Sequence, residues 1–434
     1  MTHSGNNNQV GIIGLGYVGL PLALAFASVG TKVIGFDVDP DKVSAISSGT
    51  SYLNHIKSSE IKRFVDENLF RATEDFSKLR EVQDILICVP TPLTKYREPD
   101  LSAVLNTGRV ISKYLQRGHL VVLESSTYPG TTDEDLSKVL QESGLKVNED
   151  FFLAYSPERE DPGNKTYSTA DIPKVIGSDT PEGEKRTNEL YSKIVPSVVS
   201  VSSSRAAEAV KLTENIFRSV NIALANELKI IFDEMNIDVW EIVDAASSKP
   251  FGYMPFYPGP GLGGHCIPID PFYLTYKARE FDVPTRFIEL AGEINSSMPK
   301  RVVAKCARIL STESEKPVKN CKILIIGLAY KPNVDDMRES PALVLTELLE
   351  ELGADVHYHD PFISEVPATR DHAGLAGRKS VALTQKALSI YDLVLLCTNH
   401  DQIDYQLVAD SSDLIVDTRN AFQAIRGKAK IFKA

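Results

Sequence analysis

Residues 259–270 read GPGLGGHCIPID and set one thiol, Cys266, among four glycines and two prolines. Such a run makes neither a good helix nor a good central strand. It does keep a cysteine accessible, and its backbone N–H groups can bind an oxyanion. A thiolate there can attack an aldehyde to give a thiohemiacetal. Hydride loss from that adduct leaves a thioester, which water cleaves to a carboxylate. Asp270, four residues on, can manage protons or water. His265 is adjacent to Cys266, but neighbouring side chains usually diverge, so adjacency alone does not make it a base. A structural turn with an incidental cysteine stays open. Lys211 and Asn215 stand four apart, on one helix face. A lysine there can stabilise an alkoxide and an amide can position water, although spacing alone favours a solvated face.

Residues 11–19 read GIIGLGYVG. Gly14, Gly16 and Gly19 form G-x-G-x-x-G after a strand-like run and at a helix start. The first glycine permits a tight turn, the second lets backbone approach a pyrophosphate, and the third lets helix and strand pack closely. Asp37 ends the next apolar run, VIGFDVD, where an acid accepts from ribose hydroxyls. An acid there favours NAD over NADP, because a 2′-phosphate is repelled. Asp39 is a rival for that role. NAD brings hydride transfer, and NAD with one nucleophilic cysteine suggests oxidation as far as an acid.

These groups need a scaffold. VGIIGLG, KVIGFDVD, DILICVP and HLVVLESS are apolar strand-like runs, and LPLALAFASVG reads as a helix ending at Gly30. Continuous apolar strands between helices predict a parallel sheet covered on both faces. Residues 1–202 are expected to form a Rossmann-like NAD-binding domain. From 203 the texture becomes helical, with a long helix, the glycine loop and more helix to about 310, so 203–312 is expected to be a central helical domain carrying the Cys266 loop. STESEKPVKN reads as a polar linker. KILIIGLAYK, ADVHYHDPF, DLVLLCTN and DLIVDTRN then restart the alternation, and 313–434 is expected to form a second Rossmann-like domain. The fold class is therefore α/β, two doubly wound domains joined by a long central helix. That helix also predicts a homodimer or higher homo-oligomer.

The bulk composition narrows the class. A net charge of −11 over 434 residues argues against a general nucleic-acid binder. No apolar run is long enough to span a membrane, and MTHSGNNNQ has no apolar h-region. The five cysteines, 88, 266, 306, 321 and 397, include no C-x-x-C pair, so no metal site or disulfide framework is expected. Cys88, Cys306, Cys321 and Cys397 read as structural thiols in apolar runs, and the set fits a reducing cytoplasm.

GIIGLGYVGLPLA, CVPTP, ESSTYPGTT, YSPERE, AEAVKLTENIFRSVNIALANE, GLGGHCIPID and GLAYKPNVDDMRESPA occur in that order. The chain thereby resembles the UDP-glucose/GDP-mannose dehydrogenase family of nucleotide-sugar 6-dehydrogenases over nearly its whole length. The resemblance implies oxidation of a sugar C6 alcohol to a carboxylate with two NAD per turnover, in a branch that commonly feeds surface polysaccharides. It makes Cys266 the nucleophile, Lys211 the oxyanion-stabilising lysine, and Asn215 and Asp270 polar helpers. Thr127 holds water and Glu158 does acid–base work. Around the cofactor it sets Gly14, Gly16, Tyr17, Val18, Gly19, Asp37, Lys42, Thr91, Ser126 and Arg338. Around the UDP-sugar it sets Glu158, Arg159, Lys211, Asn215, Tyr257, Gly259, Gly261, Gly263 and Lys331. Arg159 departs from the UDP-glucose pattern and either contacts substrate or pairs with a nearby carboxylate. GGHCIPID and YSPEREDPG resemble the branch acting on N-acetylated sugars, and the FGYMPFYPGPGLGGHC stretch leans toward UDP-N-acetyl-D-glucosamine. UDP-N-acetylmannosamine, UDP-N-acetylgalactosamine and UDP-glucose are the alternatives.

Overall fold

The computed structural model describes residues 9–53, 56–94, 96, 98–159, 171–264, 267–369 and 372–434. The chain divides into two compact units, Met1–Glu214 with Phe272–Pro284, and Asn215–Pro271 with Thr285–Ala434.

In the first unit the apolar runs become an eight-stranded sheet. Its strands are β1 Gln9–Ile13, β2 Lys32–Phe36, β3 Phe70–Thr73, β4 Asp84–Ile87, β5 Leu120–Leu123, β6 Phe152–Tyr155, β7 Lys174–Ser178 and β8 Val198–Val201. They lie in the order β3-β2-β1-β4-β5-β6-β7-β8. Alternate residues of each strand feed two cores, Val10, Ile12 and Val122 on one face and Ile13, Ile87 and Val121 on the other. Burial on both faces is what helices on both sides of a parallel sheet produce. One neighbouring pair differs: β6 and β7 run antiparallel, so the sheet is mixed where the sequence predicts a parallel one. The first helix, Gly19–Ser28, stops as expected, with Gly30 at φ +80° and its N–H on the Ala27 carbonyl oxygen at 3.0 Å.

The second unit holds a five-stranded parallel sheet. Its strands are β9 Lys322–Ile326, β10 Asp355–His359, β11 Leu393–Leu396, β12 Leu414–Asp417 and β13 Lys430–Lys433, in the order β10-β9-β11-β12-β13. Ile323, Ile325 and Val416 face one core, Leu324, Ile326 and Ile415 the other. In both sheets the strand order reverses beside the first strand, and ligands bind outside the carboxyl ends of the strands at such a point.

The long helix Ser204–Glu234 begins in the first unit and ends in the second. The helix Val239–Ser247 stands between it and the glycine-rich loop. The helix Arg286–Ser314 continues through Pro299 and takes in the first four residues of the expected linker. Among the described residues no helix is long and apolar enough to cross a membrane. Cys306, Cys321 and Cys397 are buried, whereas Cys88, just past β4, is half-buried.

Candidate active site

The glycine turn after β1 is shaped by what a side chain would strike. A Cβ on Gly14, at φ +91°, would meet the Cys88 carbonyl oxygen at 2.5 Å, and one on Gly19 would meet the Gly14 carbonyl oxygen at 1.8 Å. A Cβ on Gly16 would meet nothing within 4 Å, so open space lies in front of the middle glycine. The following helix starts at Val18 with no side-chain cap, which suits an anion at its N-terminus. Asp37, at the end of β2, is buried. Its Oδ2 accepts from the Leu15 N–H at 2.8 Å and from Lys42 Nζ at 3.3 Å, and its Oδ1 accepts from the Asp39 N–H at 3.0 Å. The rival Asp39 caps the next helix through the Asp41 N–H. An open glycine cradle, an uncapped helix start and a carboxylate at the strand end fit an adenine dinucleotide. Tyr17 and Val18, in the same turn, and Ser126 are half-buried. Thr91 is buried, and its carbonyl oxygen accepts from Tyr273 Oη at 2.5 Å.

Four further predicted residues of the first unit gather at the end of its sheet. Lys211 is 8% exposed, and its Nζ donates to the Glu158 carbonyl oxygen at 2.6 Å. The Glu158 carboxylate accepts from Lys174 Nζ at 3.2 Å and from the Arg159 N–H at 2.7 Å. Arg159 pairs with Glu214 at 2.6 Å and donates to the Pro173 carbonyl oxygen at 2.7 Å, the carboxylate partner being one of its two expected fates. Thr127 is fully buried and its hydroxyl reaches Glu208 at 3.4 Å.

In the second unit Asn215 Nδ2 donates to Asp270 Oδ2 at 2.6 Å, with Asp270 at the start of the helix Asp270–Ala278. Cys266 and His265 lie outside the described residues. The flanking glycines make room for the protein's own side chains. A Cβ on Gly259 would strike Arg419 Nη1 at 2.4 Å, one on Gly261 would meet Pro341 at 3.2 Å, and ones on Gly263 and Gly264 would strike Tyr330 at 2.7 and 2.8 Å. The Gly259 N–H bonds Asn226 Oδ1 at 2.9 Å and the Gly264 N–H bonds the Arg338 carbonyl oxygen at 3.0 Å. The Arg338 guanidinium pairs with Asp336 at 2.6 Å. Lys331 Nζ sits 5.7 Å from the Tyr330 ring centroid. Tyr257 is exposed, its hydroxyl on Asp244 Oδ1 at 2.7 Å, and that bond raises it above the usual phenol range. Among the described residues no group of three or more His, Cys, Asp or Glu side chains is placed to hold a metal ion.

Sequence reasoning misses the buried ionisable groups that support these residues. Glu208 accepts from the Gly130 N–H at 2.7 Å, the Thr132 N–H at 2.9 Å and the Thr132 hydroxyl at 2.7 Å. It thereby clamps the turn after Thr127 to the long helix. Burial pushes its carboxyl up to about 8 against those hydrogen bonds. Glu124, Lys174 and Tyr191 form a second buried group. Glu124 accepts from Lys174 Nζ at 2.8 Å and from the Tyr191 hydroxyl. In the second unit His400 Nε2 meets Asp360 Oδ2 at 3.0 Å and His400 Nδ1 accepts from the Asn333 N–H at 3.0 Å, fixing the segment that carries Lys331. The available signal was a charge inside an apolar run, as in VVLES and IPKVIG, because such a charge needs a partner.

Three family descriptions match the chain in order. They are the UDP-glucose/GDP-mannose dehydrogenase family NAD binding domain over residues 8–195, its central domain over 205–297 and its UDP binding domain over 324–424. The UDP-N-acetyl-D-glucosamine 6-dehydrogenase of Pseudomonas aeruginosa is 36% identical over 366 residues, covering 84% of this chain and 85% of that protein. The UDP-N-acetyl-D-mannosamine dehydrogenase of Escherichia coli (strain K12) is 36% identical over 410 residues, covering 91% and 94%. Among solved structures, a UDP-D-ManNAc dehydrogenase from Pyrococcus horikoshii superposes with a TM-score of 0.88 at 29% identity, covering 98% of each chain.

Proposed function

The chain belongs to the UDP-glucose/GDP-mannose dehydrogenase family, and from that premise we propose that it oxidises the C6 alcohol of UDP-N-acetyl-D-glucosamine to the uronate. It is an NAD-dependent nucleotide-sugar 6-dehydrogenase; the sugar and the residue roles are what the proposal adds. NAD, when bound, takes up the hydride in each of the two oxidations.

In the proposed scheme the Lys211 ammonium stabilises the alkoxide that forms at O6, and a first hydride loss from C6 leaves the aldehyde. The Cys266 thiolate adds to the C6 aldehyde, forming a C–S bond and moving an electron pair onto oxygen, where Lys211 again meets the charge. Hydride loss leaves a thioester. Water held by Thr127 adds to it, Cys266 departs as thiolate, and Glu158 and Asp270 carry the protons. The observation that carries the scheme is Lys211, an 8% exposed lysine whose Nζ is held 2.6 Å from the Glu158 carbonyl oxygen. A surface-facing lysine one turn before Asn215 could not serve this role. Residues 1–202, 203–312 and 313–434 are proposed as the NAD-binding, central and UDP-sugar-binding parts.

The N-acetylated class rests on the GGHCIPID and YSPEREDPG stretches, and the choice of UDP-N-acetyl-D-glucosamine on the FGYMPFYPGPGLGGHC stretch and the Pseudomonas aeruginosa relative at 36% identity. UDP-N-acetyl-D-mannosamine is the second reading, favoured by a relative so described at the same identity over a longer span. The test counts NADH formed per sugar consumed with a panel of UDP-sugars and GDP-mannose. Two NADH per UDP-N-acetyl-D-glucosamine, with little turnover of the others, is the expected result. Two NADH from another sugar keeps the scheme and replaces the substrate, and one NADH per sugar removes the thioester role of Cys266.

A further inference from the structure

Glu158 stands beside a buried cation that the reaction scheme leaves unused. Lys174, the first residue of β7, is 5% exposed, yet its Nζ reaches two carboxylates, Glu124 at 2.8 Å and Glu158 at 3.2 Å. We propose that Lys174 is a positioning residue which, shared between Glu124 and Glu158, holds the Glu158 carboxylate ionised and aimed, so that Glu158 enters the reaction as a proton acceptor. This rests on the acid–base role proposed for Glu158.

The geometry separates the two carboxylates. The Glu124 side chain is fully enclosed, whereas that of Glu158 keeps 17% of its surface. Glu124 also takes the Tyr191 hydroxyl, a phenol held well above its usual range by burial and by Glu124. Glu124 is therefore an internal anchor, and only Glu158 opens outward to exchange a proton. One ammonium serves two acids, so the charge Lys174 gives Glu158 depends on what Glu124 takes. Burial alone would lower the Lys174 ammonium, but the two carboxylates raise it above the ordinary lysine range, so it stays charged. Among the described residues, the other charged or titratable groups facing this cluster include the Cys88 thiol past β4, pushed up by burial, Lys211 on the Glu158 carbonyl oxygen, and Arg159 paired with Glu214. An ammonium in contact favours the ionised acid, and a neighbouring carboxylate opposes it.

The arrangement predicts shifts of opposite sign. The full chain is assayed for NADH formation from the UDP-sugar that it turns over, with kcat and KM measured from acid to alkaline pH. Lys174→Met is expected to move the acid limb of kcat to higher pH by about 1 unit or more, and Lys174→Arg to restore it. Glu124→Gln is expected to move the same limb to lower pH, because Lys174 then serves Glu158 alone. Loosened packing changes melting temperature and rate but does not drive the limb both ways. An unmoved limb in Lys174→Met, or shifts of the same sign in both variants, overturns the proposal. If Lys174→Met fails to fold, an unmoved or raised limb in Glu124→Gln overturns it. Glu158→Gln separates the two levels: full kcat in that variant removes the role of Glu158 itself, whereas an inactive Glu158→Gln with an unmoved Lys174→Met limb removes only that of Lys174.

Discussion

Asn215 Nδ2 lies 2.6 Å from Asp270 Oδ2, with both side chains buried. The amide donates to a carboxylate that is itself fully buried. Asn215→Ala is therefore expected to destabilise the protein by about 1–3 kcal/mol, read from its urea midpoint. Asp270→Asn keeps the shape and removes the basic oxygen. It is expected to fold normally and lose kcat by about 100- to 10,000-fold. Equal kcat in Asp270→Asn and the parent enzyme ends its proposed part in proton transfer.

Two glycines predict opposite outcomes for the same substitution. A methyl on Gly16 would meet nothing within 4 Å. Gly16→Ala is expected to melt with the parent protein while its Kd for NAD, measured by calorimetry, rises about tenfold or more, as 1.4 kcal/mol of lost backbone approach implies. Gly264 sits at φ +85° with its Cβ position 2.8 Å from the Tyr330 ring. Gly264→Ala meets both a strained backbone and a ring, and is expected to destabilise by about 1–3 kcal/mol. Adding Tyr330→Ala relieves the contact but not the strain, so recovery should be partial.

The dinucleotide turn was legible because three constraints coincide in sequence: glycines that a strand-to-helix turn requires, an apolar strand before them, and an acid one strand later at Asp37. The Lys211–Asn215 pair was legible as a helix face, but spacing alone could not say that the face is buried. Lys174 and Glu124 lie 50 positions apart, one at the start of β7 and the other just past β5, with β6 between those strands in the sheet, so neither announces the other. The antiparallel β6–β7 junction escaped for a similar reason, since strand direction is set by the route of the connection and not by periodicity. The glycines of residues 259–264 were readable as a close approach, but not as an approach to Tyr330, Pro341 and Arg419, which follow by at least 66 residues. That last span is the separation of Gly264 from Tyr330.

Glu208 makes stability depend on pH. Its folded carboxyl is pushed up to about 8 from an ordinary 4.5 by burial. Below about 4.5 both folded and unfolded chains hold the proton, and the contribution is fully present. As pH rises the unfolded chain releases its proton first, so the contribution fades until the folded group also ionises near 8. Glu208→Gln removes this titration, and its amide faces the Gly130 and Thr132 N–H donors with one acceptor fewer. The stability of the variant relative to the parent protein is expected to shift in the variant's favour from pH 5 to pH 8 in denaturant titrations. A gap independent of pH means that Glu208 does not titrate in this range.

The long helix carries an apolar stripe that stays about half exposed. Phe217, Leu224 and Ile231 stand seven residues apart and are 50%, 51% and 46% exposed, and Met235 extends the stripe at 59%. A seven-residue apolar repeat on a helix is the pattern of a helix–helix seam, and apolar surface of this kind marks an interface. The homo-oligomer expected from the sequence is therefore proposed to form through this face. Light scattering should give at least twice the 47.8 kDa of one chain. Leu224→Glu with Ile231→Glu places two like charges on the seam and should return the mass to that of one chain, with the far-ultraviolet circular dichroism unchanged. A parent protein that scatters as a single chain at micromolar concentration removes the seam, and a double variant that keeps the larger mass places the interface elsewhere.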